Sequence, residues 1–333
     1  MQRFEETLPT SSGKPLYVVV SLDVEEEGLF SGRYPTAGCG VRNVSLLPRL
    51  TPLTRELGFP LTLFCAYTVF NNANARRTLA FMRDKCGAEI AAHLHHWSTP
   101  PLGAASAEKI PPERTHRMRR DLLRQSLDNL LAVGKQFQGA PLTSFRMGRW
   151  DMKAALRPML EEAGITLDSS VCPLRAFGDG ADHFLAPTDP YWTDAAHKLL
   201  ESPITQIPLV PGLARFWHKC VRWPGSLDSF HYWGAVSPNP VWHGPQAMRL
   251  ATRLHLSRGG RVLHLFWHSS EMLPGASPNV PDKTAAAALF KKIYSFLRWL
   301  KENFAICAVT AAQLRSAAAS LDFSARPPGK GDW

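Results

Sequence analysis

Five apolar segments of the sequence each end in a side chain that could bind a metal, transfer a proton or hold a carboxylate. The segments cover residues 16–22, 89–92, 142–145, 165–167 and 261–267, and the side chains after them are Asp23, His93, Arg146, Asp168 and His268. One polar residue after an apolar run carries little information. Five with complementary chemistry favour a common site, provided that the segments are strands of one parallel sheet.

Each of these residues also has an ordinary structural interpretation. Asp23 and Glu25 could lie in a loop or cap a helix, and the histidines of residues 93–96 could be core or surface side chains. Asp168 opens an Asp-Ser-Ser sequence that is common in turns and caps. His268 is harder to explain as a core residue, because a buried imidazole needs a hydrogen-bond partner.

The elements that must position these residues alternate between short apolar runs and amphipathic stretches. The apolar runs are rich in Val, Ile, Leu and Phe, as strands buried on both faces should be, and cover residues 16–22, 61–66, 89–93, 142–146, 165–168, 204–210, 261–268 and 304–309. Helical patterns cover residues 45–57, 74–85, 113–137, 152–163, 245–256, 282–303 and 311–320. This alternation predicts a parallel sheet with helices outside, either doubly wound or closed into a barrel. In a barrel, the carboxyl ends of all strands lie on the face that carries the active site.

The composition limits the class of protein. The 333 residues include 38 Lys and Arg against 28 Asp and Glu, a net charge of +10. They contain no block of five cations, so we expect no nucleic-acid partner. The six cysteines are scattered without a CxxC pair, which favours a reducing compartment. No apolar run reaches the roughly 18 residues of a transmembrane helix, and the N-terminus has no signal-peptide core. We therefore expect a cytoplasmic protein without a transmembrane segment.

The pattern predicts one folded unit without a linker. Residues 16–322 form this unit, with an N-terminal extension at residues 1–15 and a disordered tail at residues 323–333. Segments 173–199 and 210–243 are irregular and rich in Pro, Trp and His, and we expect them to be functional loops. Their tryptophans could stack on sugar rings or only plug the barrel rim: Trp192, Trp217, Trp223, Trp233 and Trp242.

Five motifs of the sequence resemble those of the polysaccharide deacetylases, which are carbohydrate esterases of the NodB-homology type. They are SLDVE at residues 21–25, EIAAHLHHW at 89–97, SFRMGRW at 144–150, LDSS at 167–170 and HLFWHSSEMLPGASP at 264–278. Their order and spacing cover most of the chain. The resemblance implies a distorted (β/α) barrel of about seven parallel strands. It also implies a metal-dependent hydrolase that removes acetyl from an N-acetylated sugar of a polysaccharide or glycan precursor.

The resemblance assigns catalytic roles to four side chains. Asp23 is the base that takes a proton from water, and Arg146 holds it ionised and oriented. His268 is the general acid that protonates the leaving amine. Asp168 is expected to keep His268 protonated.

The resemblance also implies a divalent metal ion, held by Glu25, His93 and His95. The usual first motif has near-adjacent aspartates, whereas Glu25 is one methylene longer. The usual second histidine follows the first by four residues, where this chain has Trp97. His95 is expected to substitute, because residues i and i+2 of a strand point the same way; if the register is off by one, His96 is the ligand instead. Two histidines and a carboxylate with an open position form a known catalytic zinc set, so zinc is the expected ion.

Trp150 and Trp267 are expected to bind the sugar. Three other functions stay open at the level of sequence. A glycoside hydrolase would pair two carboxylates such as Asp23 and Glu271. A non-catalytic glycan-binding protein would tolerate the altered metal motif, and a small-molecule amidohydrolase would use the same residues on a purine-breakdown amide or a sugar-lipid.

Overall fold

The computed structural model describes residues 15–325, apart from residues 33, 35, 37, 103–111 and 222. Its strands are β1 Leu16–Val24, β2 Leu61–Ala66, β3 Glu89–Leu94, β4 Ser144–Met147, β5 Leu167–Asp168, β6 Tyr191–Trp192, β7 Leu200–Glu201, β8 Ile207–Pro208, β9 Ala235–Val236, β10 Val262–His268 and β11 Ile306–Val309. Most of the apolar runs of the sequence therefore form strands, as predicted.

The α-helices follow the strands along the chain. They are α1 Thr51–Arg55, α2 Tyr67–Phe70, α3 Ala73–Cys86, α4 Arg120–Gln138, α5 Arg157–Glu162, α6 Pro211–Cys220, α7 Pro224–Asp228, α8 Phe230–Trp233, α9 Pro245–Ser257, α10 Lys283–Asn303 and α11 Ala311–Leu321. Short 3-10 segments include Arg42–Leu50 before α1 and Ser269–Met272 after β10. None of the helices in the described part of the chain has both the length and the apolar character that a membrane span requires.

The strands form a distorted (β/α) barrel, as the sequence predicts. In the described part of the chain, seven parallel strands follow one another in the order β10-β1-β2-β3-β4-β5-β7. The chain after β7 then approaches β10 and narrows the remaining gap. Thr205 N–H donates to the carbonyl of His264 (3.0 Å), and His264 N–H donates to Oγ1 of Thr205 (2.8 Å). All seven strands consequently direct their carboxyl ends to one face.

Alternate residues of each strand face the barrel interior and the outer helices. Asp23 of β1 is paired in register with His268 of β10, and His93 of β3 with Arg146 of β4. These four residues share the inner face. Their neighbours Leu22, Trp267, Leu94, Phe145 and Met147 belong to the hydrophobic core between the sheet and the helices.

Several boundaries differ from the predicted ones. The helical pattern at residues 45–57 is divided between a 3-10 segment and the short helix α1, because Pro48 and Pro52 lack the N–H groups that a continuous α-helix needs. The predicted strand at residues 204–210 is not part of the barrel; only Ile207–Pro208 is extended, in an antiparallel pair with β9. The short β7 takes its place beside β5. Segment 210–243 is largely helical rather than irregular, since it contains α6, α7 and α8.

The two ends of the chain lie mostly outside the described residues. Of the predicted N-terminal extension, only Pro15 is described. Residues 323–325 of the predicted disordered tail lie against the barrel, where Phe323 packs in a core cluster and the N–H of Trp192 donates to the carbonyl of Ser324 (3.1 Å).

Candidate metal centre and catalytic site

Glu25, His93 and His95 meet at the carboxyl ends of β1 and β3. Oε2 of Glu25 lies 3.4 Å from Nε2 of His93 and 3.4 Å from Nε2 of His95, and all three side chains are buried. The three ligand atoms lie within 4.8 Å of one another. Two ligands on a tetrahedral zinc ion are about 3.3 Å apart, given zinc–nitrogen and zinc–oxygen bonds of about 2.0–2.1 Å. The spacing therefore suits a four-coordinate ion.

Both histidines are held with Nε2 directed at this centre. Nδ1 of His93 lies 3.0 Å from the backbone carbonyl of Arg146, and Nδ1 of His95 lies 3.0 Å from Oε1 of Glu26. A carbonyl or carboxylate accepts a hydrogen bond from Nδ1–H, which turns Nε2 toward the position of a metal. Metal-binding histidines in proteins are fixed in this way, so the donor set fits a resident divalent ion.

Glu26 is a functional candidate that the sequence analysis missed. Its carboxylate also accepts hydrogen bonds from Ser98 Oγ (2.9 Å) and Thr68 Oγ1 (3.1 Å), and its side chain is buried. Although burial opposes ionisation, the neighbouring His95 lowers the pKa of Glu26 to about 2. Burial likewise opposes the charged form of His95, but Glu26 and Glu25 raise the pKa of His95 to about 10. The signal in the sequence was only its place in the run Glu25-Glu26-Glu27.

Gly148 allows the His95 ring to take this position. A Cβ at residue 148 would overlap the His95 ring and the carbonyl of Leu94. The next two residues, Arg149 and Trp150, have φ angles of 58° and 55°, a left-handed conformation that is uncommon for residues other than glycine. A larger residue than the glycine of the SFRMGRW motif would therefore not fit here. The strained backbone of the next two residues lies at the rim of the site.

Asp23 and Arg146 form a buried ion pair beside the metal centre. Nη1 of Arg146 donates to Oδ1 of Asp23 at 2.5 Å. The other oxygen, Oδ2, lies 4.0 Å from Nε2 of His93 and 3.8 Å from Nε2 of His268. Burial opposes ionisation of Asp23, yet Arg146, His93 and His268 lower its pKa to about 2. Asp23 is therefore a carboxylate at neutral pH, with Oδ2 facing both histidines.

Arg146 is held by partners on all sides. Its Nε and Nη2 donate to the carbonyl and the hydroxyl of Ser169 (3.0 and 2.9 Å), and Nη2 also reaches Ser21 Oγ (3.0 Å). The guanidinium carbon lies 4.1 Å from the centroid of the Phe64 ring, which is a cation–π distance. These contacts fix the planar group, so that its charge and its orientation toward Asp23 are maintained inside the barrel.

His268 is partnered by Glu271 rather than by Asp168. Oε2 of Glu271 lies 3.2 Å from Nδ1 of His268 and accepts the backbone N–H of the same residue (3.0 Å). The 3-10 segment Ser269–Met272 turns the carboxylate back onto the strand end. Burial opposes protonation, but Glu25, Glu271 and Asp23 raise the pKa of His268 to about 9. The imidazole is protonated at neutral pH, with Nε2 toward Asp23.

The expected role of Asp168 is corrected by its position on β5. Asp168 pairs in register with Phe145 rather than with Arg146, so its side chain points out of the barrel toward α5. There it contacts Ser170 Oγ and shares a buried cluster with Glu201, Arg157 and Tyr191. Ser170 Oγ in turn accepts the N–H of Met147 (2.8 Å). Asp168 thus braces the turn next to Arg146 and does not contact His268.

The two tryptophans expected to bind substrate, Trp150 and Trp267, differ in their burial. Trp267 is fully buried and packs in the outer core, beside Leu22 of β1, so it has no surface for a sugar and that prediction is wrong. Trp150 is only half-buried. It lies edge-on to Phe266 (ring centroids 5.0 Å apart) and 5.4 Å from the guanidinium of Arg146, at the rim of the site.

His96 does not join the metal group. Its ring contacts Trp97, and burial lowers its pKa to about 4. Trp97, at the position where the resemblance would place the second ligand, stacks on His95 with ring centroids 4.2 Å apart and planes inclined by 23°. Of the two candidates for the second histidine ligand, the geometry brings His95 to the centre.

The loop tryptophans are dispersed over the molecule. Trp242 lies near the site, since its ring centroid is 5.3 Å from that of Phe266, which in turn contacts His268. Trp192 is buried against His197. Trp217, Trp223 and Trp233 belong to the helical segment between β8 and β9.

Comparison with known proteins gives matches of structure only: no family model and no curated protein matches the sequence. A Mycobacterium smegmatis protein described as a polysaccharide deacetylase has a TM-score of 0.58 and 18% identity, covering 96% of this chain and 95% of that chain. A Pseudomonas aeruginosa PAO1 protein with the same description has a TM-score of 0.55 and 14% identity, over 96% and 99%. The fold is that of the polysaccharide deacetylases. Puue allantoinase shares it, with a TM-score of 0.56 and 13% identity over 97% and 99% of the two chains.

Proposed function

We propose that this chain is a divergent polysaccharide deacetylase that hydrolyses the N-acetyl group of a sugar in a glycan or glycan precursor. One observation carries the proposal: a group of ligands spaced for one ion lies beside an ionised carboxylate and a protonated imidazole. Glu25, His93 and His95 form the group, and Oδ2 of Asp23 lies within 4.0 Å of Nε2 of both His93 and His268. The likeness of fold supports the same reaction class.

We propose zinc as the ion, because two imidazoles and one carboxylate in a closely spaced set are zinc ligands with room for a fourth position. When bound, a divalent ion supplies Lewis-acid chemistry that makes water nucleophilic at neutral pH and polarises the acetyl carbonyl. The protein's share is to fix both rings through Nδ1, with Arg146 O and Glu26 as hydrogen-bond acceptors, so that a divalent ion would take the place of a proton at Nε2.

The remaining side chains move protons at defined atoms. Asp23 takes a proton from the attacking water at Oδ2, since Oδ1 is engaged by Arg146. His268 gives a proton from Nε2 to the departing amine nitrogen, since Nδ1 is engaged by Glu271. Protonation is necessary because an amine anion is a poor leaving group. Oδ2 of Asp23 and Nε2 of His268 lie 3.8 Å apart. Asp23 acts as the base toward water, and His268 acts as the acid toward the leaving nitrogen.

We propose that the sugar chain extends along a cleft between the loops that follow Glu25 and His268 in sequence. The cleft has a volume of about 660 Å3 and is lined by the loop after β1 and the loop after β10, including Gly28, Ser31, Arg42 and Pro274. Glu27, which follows Glu25 and Glu26 in the sequence, also lines this cleft. Asn43 ties the two loops together, because its Nδ2 donates to the carbonyl of Glu25 (2.9 Å) and to Ser269 Oγ (2.8 Å).

The proposal is tested by acetate release from N-acetylated glucosamine oligomers. Chelator-treated protein should be inactive and should recover activity with zinc. Asp23→Asn and His268→Gln should lose acetate release while retaining bound metal, whereas His95→Gln should lose the metal. His96→Gln is the matched control and should keep its metal content.

Other outcomes would identify the rival functions. Glycan binding by metal-loaded protein without acetate release would support a non-catalytic member of the fold. Hydrolysis of allantoin in place of the sugar would support a small-molecule amidohydrolase. A glycoside hydrolase is disfavoured by the structure, because both proposed carboxylates are occupied: Asp23 pairs with Arg146, and Glu271 with His268.

A further inference from the structure

A helical insert interrupts the chain between β8 and β9. This helical insert, residues 209–234, contains α6, α7 and α8. Its inner side packs on the segment after β5 in a small core: Ala214, Leu227 and Phe230 of the insert are buried together with Leu174, Ala176 and Phe184. These residues account for the attachment of the insert. Phe216, Trp223 and Tyr232, by contrast, are exposed in the described part of the chain.

That outer side is unusually apolar for a surface. Of the 11 large hydrophobic residues that are exposed in the described part of the chain, six belong to the 26 residues of the helical insert: Leu209, Val210, Phe216, Trp223, Tyr232 and Trp233. Phe216 is 62% exposed, Trp223 80% and Tyr232 82%. Single exposed apolar residues are normal, but a concentration of them marks an interaction surface.

Contacts within the insert join its helices and its two ends. The rings of Trp217 and Trp233 are 5.0 Å apart in an edge-on contact. The N–H of Leu209 donates to the carbonyl of Gly234 at 2.8 Å, so the start and the end of the insert are adjacent. The exposed side chains are therefore presented by a tied structure and not by an extended loop.

The charge of the helical insert is positive. Its sequence contains Arg215, Lys219 and Arg222 against one acidic residue, Asp228. Asp228 is already neutralised by Arg175, whose Nε and Nη2 lie 2.7 and 3.1 Å from its oxygens. On α6, residues 215, 216 and 219 are all exposed, so that Phe216 lies beside Arg215 and Lys219 on the helix surface.

We propose that the outer side of the helical insert docks on the interfacial region of an anionic lipid bilayer. Trp and Tyr are favoured at the depth of lipid headgroups, where an amphipathic ring meets both apolar and polar surroundings. Helices that lie in this region carry Phe, Trp and Leu together with Lys and Arg. The excess of cations in the insert matches the negative surface potential of such a bilayer. The core of a protein interface, by contrast, is depleted of Lys.

The proposal concerns attachment to a surface and is independent of the proposed deacetylase reaction. It does place the chain where a lipid-linked sugar would be presented. Because the exposed residues carry no part of the barrel core, replacing them leaves the catalytic side chains untouched.

The test is co-sedimentation of the full chain with vesicles of phosphatidylcholine alone and of phosphatidylcholine with phosphatidylglycerol. The protein should bind the anionic vesicles, and binding should weaken as salt increases. Phe216→Ser with Trp223→Ser should lower the partition coefficient about tenfold or more, because two large apolar side chains no longer enter the interface. Arg215→Glu with Lys219→Glu should lower it selectively for anionic vesicles. Phe81→Ser on α3, also exposed at 38%, is the matched control and should bind as the unaltered chain does.

A second readout reports on the surface itself. Brominated lipids should quench part of the tryptophan fluorescence, and Trp223→Phe should remove part of that quenching. The proposal is overturned if anionic vesicles do not bind the protein or bind both double variants equally well. It is equally overturned if the Phe216→Ser, Trp223→Ser variant only abolishes self-association in solution, which would make the surface an interface between copies of the chain.

Discussion

Replacing Glu26 by Gln should weaken metal binding without removing a ligand. Glu26 touches the proposed metal centre only through His95, whose Nδ1 lies 3.0 Å from Oε1 of the carboxylate. Glutamine has the same shape and can still accept from Nδ1. It removes the negative charge that makes His95 a stronger base toward a cation.

The size of the effect follows from this indirect role. Loss of a carboxylate that orients a metal-binding histidine costs about 10- to 100-fold in affinity, or about 1.4–2.8 kcal/mol. The upper part of that range is expected here, because Glu26 is fully buried and also holds Ser98 and Thr68. Ser98→Ala removes one of these hydrogen bonds without changing the charge and should have a smaller effect, on the order of a single neutral hydrogen bond.

The assay is competition for zinc between the protein and a fluorescent chelator, with the thermal melting of the metal-free variants checked first. The neighbours of Glu26 in the sequence, Glu25 and Glu27, provide the control variants. Glu25→Gln should abolish tight binding, because it removes a ligand. Glu27→Gln should have no effect, because Glu27 pairs with Arg42 instead (2.8 Å). An affinity of Glu26→Gln equal to that of the unaltered chain would refute the role given to Glu26. A loss as complete as that of Glu25→Gln would make Glu26 a ligand itself.

Three further predictions concern the general acid His268, the tryptophans Trp150 and Trp267, and the buried pair of Glu201 and Asp168. Glu271→Gln should move the alkaline limb of the kcat/KM profile to lower pH, because the Glu271 carboxylate helps to raise the pKa of His268 to about 9 and the reaction needs His268 protonated. Trp150→Ala should raise KM for the glycan, whereas Trp267→Phe should change only the melting temperature. Burial raises the pKa of Glu201 well above its usual value, so its stabilising protonated form is lost as pH rises toward that pKa. Glu201→Gln keeps a donor toward Asp168 and should flatten the fall in unfolding free energy as the pH rises above the usual pKa of a glutamate, measured with urea.

The positions of the main site residues could be predicted because the ends of the strands can be recognised in the sequence as the ends of apolar runs. Asp23, His93, Arg146 and His268 each end an apolar run, and a parallel barrel collects such ends on one face. No property of the single sequence fixes the register between strands, however. The structure supplies it: Asp23 lies opposite His268, and His93 opposite Arg146.

The predictions that were wrong share one physical cause. Successive residues of a strand point to opposite faces, so a polar residue at a strand end is inside or outside the barrel according to parity. Asp168 and Trp267 have the outward parity, which puts the first among Arg157 and Glu201 and the second in the outer core. A short strand such as β5, of two residues, offers no alternating pattern from which the parity could be read.

The departures from the deacetylase motifs fit together in the structure as one rearrangement. Trp97 occupies the position of the usual second histidine, but its ring stacks on His95 and lies over the ligand instead of replacing it. His95, two residues from His93, then reaches the centre from the end of the same strand, which requires the space left by Gly148. The longer side chain of Glu25 reaches both imidazoles at the same 3.4 Å, a distance that suits a tetrahedral ion. Together these differences keep a set of two imidazoles and one carboxylate beside Asp23.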